Sequence, residues 1–291
     1  MVEFFIKDED LVGLKGKVVI ITGGSSGIGL ATVNLLLSLG ASVVSADVTE
    51  SAVTPASSFL FVRTNVAVFK ELAALFKAAK EHFGRVDCVF ANAGISPRAK
   101  YLALETYANG DLIEPSTEVL DCRQYRFMAV HYMKQQLEGG SVVLMGSSTG
   151  LQPFRAPDYS TAKHGVLGFG RGYARLMEVA GLPIRINTLM PSWTATNLIQ
   201  DLPTFISDAK HQAQSGMAVA RAASYLMVDG SGQGDVVYVD VGKYTEIEKA
   251  VLAPAYETIK GAEHPSDDEI LRRIRALTPP AAKENVKDRS I

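Results

Sequence analysis

Tyr159 and Lys163 stand four residues apart in Tyr159-Ser160-Thr161-Ala162-Lys163, a spacing that puts both side chains on one face of a helix. A free phenol titrates near pH 10, about three units too high for easy acid–base work at neutrality. An ammonium beside it favours the phenolate and lowers that pKa. A tyrosine so placed can exchange a proton with an alcohol or ketone oxygen. Ser147, at the exit of the apolar run 141–145, is positioned to hydrogen-bond the same oxygen, with Ser148 as the competing candidate.

A second constellation lies near the N-terminus. Thr22-Gly23-Gly24-Ser25-Ser26-Gly27-Ile28-Gly29 follows an apolar run, 18–21, and precedes an amphipathic run, 30–39. Strand, glycine turn and helix in that order present helix N-terminal N–H groups to an anion. Gly23 allows the tight turn, Gly27 lets the backbone approach a pyrophosphate, and Gly29 lets helix and strand pack closely. A second apolar run, 41–46, ends in Asp47, 18 residues after Gly29. An acid at that distance can accept the hydrogen bonds of an adenosine ribose diol.

Both constellations need a sheet to position them. Strands are expected at 18–21, 41–46, 59–62, 86–91, 141–145, 183–189 and 235–239. Helices are expected at 30–39, 67–83, 118–138, 159–180 and 218–228, with a loop at 95–117. Such alternation implies a parallel sheet covered on both faces, with ligands at the carboxyl ends of its strands. The glycine turn, Asp47, Asn65, Asn92 to Gly94 and Ser147 all fall at those ends.

Composition bounds the reading. In 291 residues, 47% are hydrophobic and 21% charged, enough for a sizeable core, and the net charge of −2 gives no basic footprint for nucleic acid or an anionic membrane surface. Cys88 and Cys122 form no disulfide framework, and no His/Cys cluster has metal-ligand spacing, so no metal is expected. The acidic N-terminus does not read as a signal peptide, and no apolar run reaches the roughly 18 residues of a membrane span. A cytoplasmic enzyme with no membrane or nucleic-acid partner is the expectation. From about Lys243 the chain becomes more charged, with one clear helix signal: the capping box Ser266 to Glu269 followed by Ile270, Leu271, Ile274 and Leu277 on one face.

Together these residues resemble the short-chain dehydrogenase/reductase family over residues 14–242, and 146–169 is similar to fungal members related to prostaglandin-type alcohol dehydrogenases. The resemblance rests on Thr22 to Gly29, on Asn92-Ala93-Gly94, on Ser147 with Tyr159 and Lys163, and on Asn187 to Pro191 followed by Thr194 and Thr196. It implies a Rossmann-like, doubly wound α/β fold of three α/β/α layers: one domain, 1–242, with a lid at about 192–216 and a C-terminal extension, 243–291. It also implies hydride transfer between a nicotinamide and a secondary alcohol or ketone. Tyr159 would be the proton donor or acceptor, Lys163 would lower its pKa and hold the ribose, and Ser147 would orient the substrate oxygen. Gly23, Ser25, Ser26, Gly27, Ile28, Gly29, Asp47, Asn65, Val66, Asn92, Ala93, Gly94, Pro191, Thr194 and Thr196 would hold the cofactor. Asp47 would repel a 2′-phosphate, and no Lys or Arg lies at 24–26 or directly after Asp47, so NAD is expected over NADP.

Departures from the family pattern are Asn65-Val66 in place of Asp-Val, Pro191-Ser192 in place of Pro-Gly, and a shortened Ser147-to-Tyr159 interval. Residues 118–138 contain no asparagine, where the family places a catalytic one; its position falls at Arg123 or Glu118 depending on the direction of counting. That helix also forms the family's usual subunit interface, which leaves both the proton relay and the homodimer or homotetramer open. The alternative is a dinucleotide-binding protein with impaired or non-redox activity. Trp193, Leu198, Ile199, Leu202, Phe205 and Ile206, with Ile95, Tyr101 and Leu104, predict an apolar pocket and a hydrophobic, polyketide- or terpenoid-like alcohol.

Overall fold

The computed structural model describes residues 2–54, 56–95, 109, 123–196 and 212–277. Its centre is built from short apolar runs that bury both faces. All five residues of β2 (Val18–Thr22) and all four of β5 (Cys88–Ala91) are buried. With a side-chain period of two, Val19 and Ile21 enter one apolar cluster while Ile20 enters the other.

Seven parallel strands form the body of the sheet, in the order β8 (Val236–Asp240), β7 (Ile184–Pro191), β6 (Gly140–Met145), β5, β2, β3 (Ser42–Asp47) and β4 (Phe59–Arg63). The order reverses between β2 and β5, and a crevice opens outside the carboxyl ends of the strands at such a point. On one face, α1 (Gly27–Ser38) and α5 (Gly216–Val228) contribute Val33, Leu36, Val219 and Leu226. On the other face lie α2 (Phe69–Phe83), α3 (Arg123–Met133) and α4 (Pro157–Val179), with Leu72, Phe76, Met133, Val166 and Met177 inward. The result is a Rossmann-like three-layer α/β/α fold.

The sheet is not wholly parallel. β9 (Lys243–Glu246) returns antiparallel to β8, and β1 (Val2–Phe4) adds antiparallel to β9. Neither strand was expected. β1 has three residues and β9 is largely polar, so neither shows a readable period. β9 lies past the boundary expected at Gly242, and residues 1–248 form one compact unit and 249–291 another. Within the second unit, α7 (Asp267–Leu277) matches the expected helix and α6 (Ala253–Lys260) is additional; the Tyr256 hydroxyl donates to Asp267 Oδ2 at 2.7 Å.

The helix expected over 118–138 ends at Met133. Beyond it, Gln136 accepts the Val86 N–H at 3.1 Å and donates to the Val86 and Gly139 carbonyls, which turns the chain directly into β6. Residues 118–122 lie outside the described residues, so both candidate positions for the asparagine, Glu118 and the side chain of Arg123, lie outside them too.

Candidate active site

The turn between β2 and α1 is shaped by contacts that exclude side chains. A Cβ on Gly29 would lie 1.9 Å from the Gly23 carbonyl oxygen, so only glycine lets α1 start this close to the strand. Gly27 has φ +52 and faces Thr196, whose Cβ would be 3.2 Å from an added one. Ser26 is the N-cap of α1, and its side chain makes no capping bond. The first turn holds no acid. A helix start whose cap side chain makes no capping bond and whose first turn has no competing carboxylate is suited to an anion such as a pyrophosphate.

Asp47 closes this turn from the neighbouring strand. Its Oδ2 accepts the Ser25 N–H at 3.0 Å and its Oδ1 accepts the Thr49 N–H at 3.1 Å. Asn92 braces it from the other side: its amide donates to the Thr22 and Gly23 carbonyls at 3.0 and 3.2 Å, while the Asn92 and Ala93 N–H groups both donate to Thr22 Oγ1. Asn65 Oδ1 accepts the Ala67 N–H at 3.0 Å, a local turn that fixes the loop after β4.

At the exit of β6 the chemistry-bearing side chains meet. Ser147 accepts the Thr149 N–H at 3.2 Å and hydrogen-bonds Tyr159, while Ser148 opens a 3-10 turn, Ser148–Gly150. Lys163 is buried, its Nζ 5.5 Å from the Tyr159 ring centroid, and it donates to the Met145 carbonyl at 3.0 Å. Burial pushes the Tyr159 phenol above its ordinary value, and the hydrogen bond with Ser147 pulls it partly back. The depression expected from Lys163 is therefore not the net effect. Desolvation of the phenolate dominates, and the ammonium is directed to a backbone carbonyl.

The third wall comes from the end of β7. Pro191 is its last residue; Ser192 then donates to Asp240 Oδ1 at 2.5 Å, and Thr194 Oγ1 donates to the Ser192 carbonyl at 2.9 Å. Val241 is the one non-glycine residue with positive φ among the described residues, so Ser192 occupies the family's glycine position in an ordinary backbone conformation. Trp193 packs edge-on to Phe154, ring centroids 6.1 Å apart.

One cavity of about 600 Å³ joins these walls. Gly23, Ser26, Gly27, Ile28, Asp47, Asn65, Val66, Asn92, Ala93, Gly94, Ser147, Tyr159, Lys163, Pro191, Thr194 and Thr196 all line it. Ser25 and Gly29 do not. Ser25 serves through its bond to Asp47 and Gly29 through its missing side chain. Asn187 is buried away from the cavity, bonded to Gly232 and Asp235. Of the apolar residues expected around the substrate, Ile95 and Trp193 line the cavity, while Tyr101, Leu104, Leu198, Ile199, Leu202, Phe205 and Ile206 lie outside the described residues. Phe154 and Gln152 join the wall without having been singled out. Their place between Ser147 and Tyr159 was the available signal.

The short chain dehydrogenase family model matches residues 17–206. The chain belongs to the short-chain dehydrogenase/reductase family. It is 41% identical to short-chain dehydrogenase/reductase ascJ of Acremonium egyptiacum over 94% of this chain and 96% of the relative. It is 29% identical to the 15-hydroxyprostaglandin dehydrogenase [NAD(+)] of Mus musculus, over 65% of this chain and 71% of that protein. Among solved structures, levodione reductase superposes with a TM-score of 0.65 at 25% identity, covering 78% of this chain and 97% of the reductase. Members of the family bind a nicotinamide dinucleotide and act on small molecules, so this chain is an oxidoreductase by family. No described helix is long and apolar enough to cross a membrane.

Proposed function

We propose that this short-chain dehydrogenase/reductase interconverts a secondary alcohol and a ketone on a hydrophobic small molecule, using NAD in preference to NADP. One observation carries the reading: a single cavity joins the Asp47 carboxylate and the glycine turn to the Tyr159, Ser147 and Lys163 side chains. The cradle left by Gly29 and the uncapped start of α1 fit a dinucleotide pyrophosphate, with Asp47 at the ribose diol. Among the described residues lining the cavity, Asp47 and Lys163 are the charged ones. Arg63, the register partner of Asp47 on β4, is exposed and outside the wall. A 2′-phosphate would therefore meet a carboxylate with no cation beside it among the described residues of the wall, and the mouse relative is an NAD(+) dehydrogenase.

Bound at this site, the nicotinamide supplies the hydride chemistry. The chain's own residues handle the oxygen. Tyr159, held neutral by burial, keeps a proton at Oη for a carbonyl oxygen. Ser147, already bonded to Tyr159, fixes the same oxygen, which favours it over Ser148 as the catalytic serine. Buried Lys163 would hold ribose hydroxyls and adds positive charge near the phenol. Thr194, Thr196 and Pro191 would hold the carboxamide, Asn65 and Val66 the adenine side, and Ile95, Phe154 and Trp193 exclude water from the reacting carbon. Residues 118–138 lack an asparagine, which favours as a second reading a dinucleotide-binding protein with impaired or non-redox activity.

Two measurements test this. Titration with NADH and with NADPH, followed by thermal unfolding, should give stabilisation by NADH of about 2.7 kcal/mol at a hundredfold excess over its dissociation constant. Tyr159→Phe should then abolish turnover of a hydrophobic secondary alcohol while NADH binding survives. Turnover indifferent to that change sinks the dehydrogenase reading in favour of the second.

A further inference from the structure

Gln214 is 2% exposed and lies outside the cavity wall, yet it ties that wall together. Its backbone N–H donates to the Trp193 carbonyl and its carbonyl accepts the Ala195 N–H, both at 2.9 Å, in a bridge that pairs Thr194 with Gln214. Its side-chain Nε2 donates to the Val239 carbonyl on β8 at 2.9 Å and reaches the Ser192 carbonyl and hydroxyl at 3.4 and 3.3 Å. Ser192 adds its own N–H bond to Val239 at 2.9 Å and its hydroxyl bond to Asp240.

The other end of the same amide, Oε1, is buried without a partner among the described residues. An unpartnered buried carbonyl is a penalty that an apolar side chain of similar size would avoid. Packing alone therefore does not call for glutamine here; the two Nε2 donors do. We infer that Gln214 is a positioning residue. With Ser192 and Asp240 it clasps segment 192–196 to the end of β8, and so sets where Trp193, Thr194 and Thr196 stand in the cavity wall. Thr196 already reaches across to Gly27, so the clasp fixes the distance between this wall and the glycine turn.

Trp193 is the only tryptophan in the chain, so its fluorescence reports on the clasped segment directly. Gln214→Met keeps the volume and removes the donors. In the cofactor-free protein, acrylamide quenching of Trp193 should rise about twofold in this variant, as expected when a segment loses its fixed hydrogen bonds. The NADH dissociation constant should rise about tenfold, the equivalent of one lost hydrogen bond, with kcat changed less than KM. The binding arm rests on the function proposed above and the quenching arm does not. A wild-type protein that binds no NADH would overturn that function, while quenching alone would still decide the clasp. A lower melting temperature with quenching and NADH binding at wild-type values would overturn the inference, leaving Gln214 a core residue. If Gln214→Met fails to fold, Ser192→Ala, which removes the bond to Asp240 and the Gln214 Nε2 contact with the Ser192 hydroxyl, is read by the same two measurements. Unchanged values there overturn the clasp, and a smaller rise in both supports it.

Discussion

The Asp47 carboxylate accepts the Ser25 N–H at 3.0 Å, so the acid at the end of β3 and the turn leaving β2 form one unit. Asp47 thus shapes the turn as well as charging it. Asp47→Asn keeps one acceptor oxygen and removes the charge. It should erase the preference for NADH over NADPH and weaken NADH by about tenfold, the scale of one hydrogen bond to a charged group. Thermal shifts with each cofactor check this. A preference for NADH undiminished in Asp47→Asn would place cofactor discrimination elsewhere.

Asn92 carries the other half of the turn's support. Asn92→Ala strips hydrogen bonds from the Thr22 and Gly23 carbonyls, which sit where β2 enters the turn. Leaving such groups unmet should cost about 1–3 kcal/mol of stability, read by urea unfolding. NADH binding should weaken as well, because Gly23 is part of the cavity wall. Wild-type stability in this variant would mean that water replaces the amide.

What was legible in the sequence follows from these two residues. Asp47 was readable because strand, glycine turn, helix and acid repeat a fixed geometry, and the register of β2 on β3 places it beside Ser25. Asn92 was readable as a residue of the cavity wall, while its role as a brace was not, since nothing in the spacing shows an amide reaching back 70 residues to Thr22. Long apolar strands announced themselves. β9, with Tyr244 as its one buried residue, gave no period to read and entered the sheet through its turn and its pairing with β8. Gln214 was invisible for the same reason: its effect depends on a bridge to Thr194 across nineteen intervening residues.

The protonation of Tyr159 gives a directional test. Burial raises its pKa, so the proton stays on Oη at neutral pH and is lost only as pH rises through the elevated value. Ketone reduction, which needs that proton, should be flat through neutrality and fall only in the alkaline range; alcohol oxidation should climb as pH increases. An ultraviolet difference titration of the cofactor-free protein against Tyr159→Phe should place this phenol above the ordinary value of about 10. Ser147→Ala removes the hydrogen bond that lowers it and should move the titration further upward. A downward move would mean that Ser147 favours the neutral phenol instead.

Val241 stands at φ +46 and Gly242 at φ +79 in the two-residue turn where Asp240 pairs with Lys243. Positive φ at both central positions is the hairpin geometry that favours Asn-Gly or Gly-Gly, and a β-branched residue there carries about 1–2 kcal/mol of backbone strain. Val241 is 41% exposed, so replacing its side chain forfeits little burial. Val241→Asn should therefore stabilise the protein by about 1 kcal/mol, a rise in melting temperature of about 2–4 °C for a domain of this size. Asparagine tests the point better than glycine, because it relieves the strain without loosening the unfolded chain. Since Asp240 anchors Ser192, NADH affinity should not weaken in the same variant. A melting temperature at or below wild type would show that the valine side chain contributes more through packing than its backbone costs.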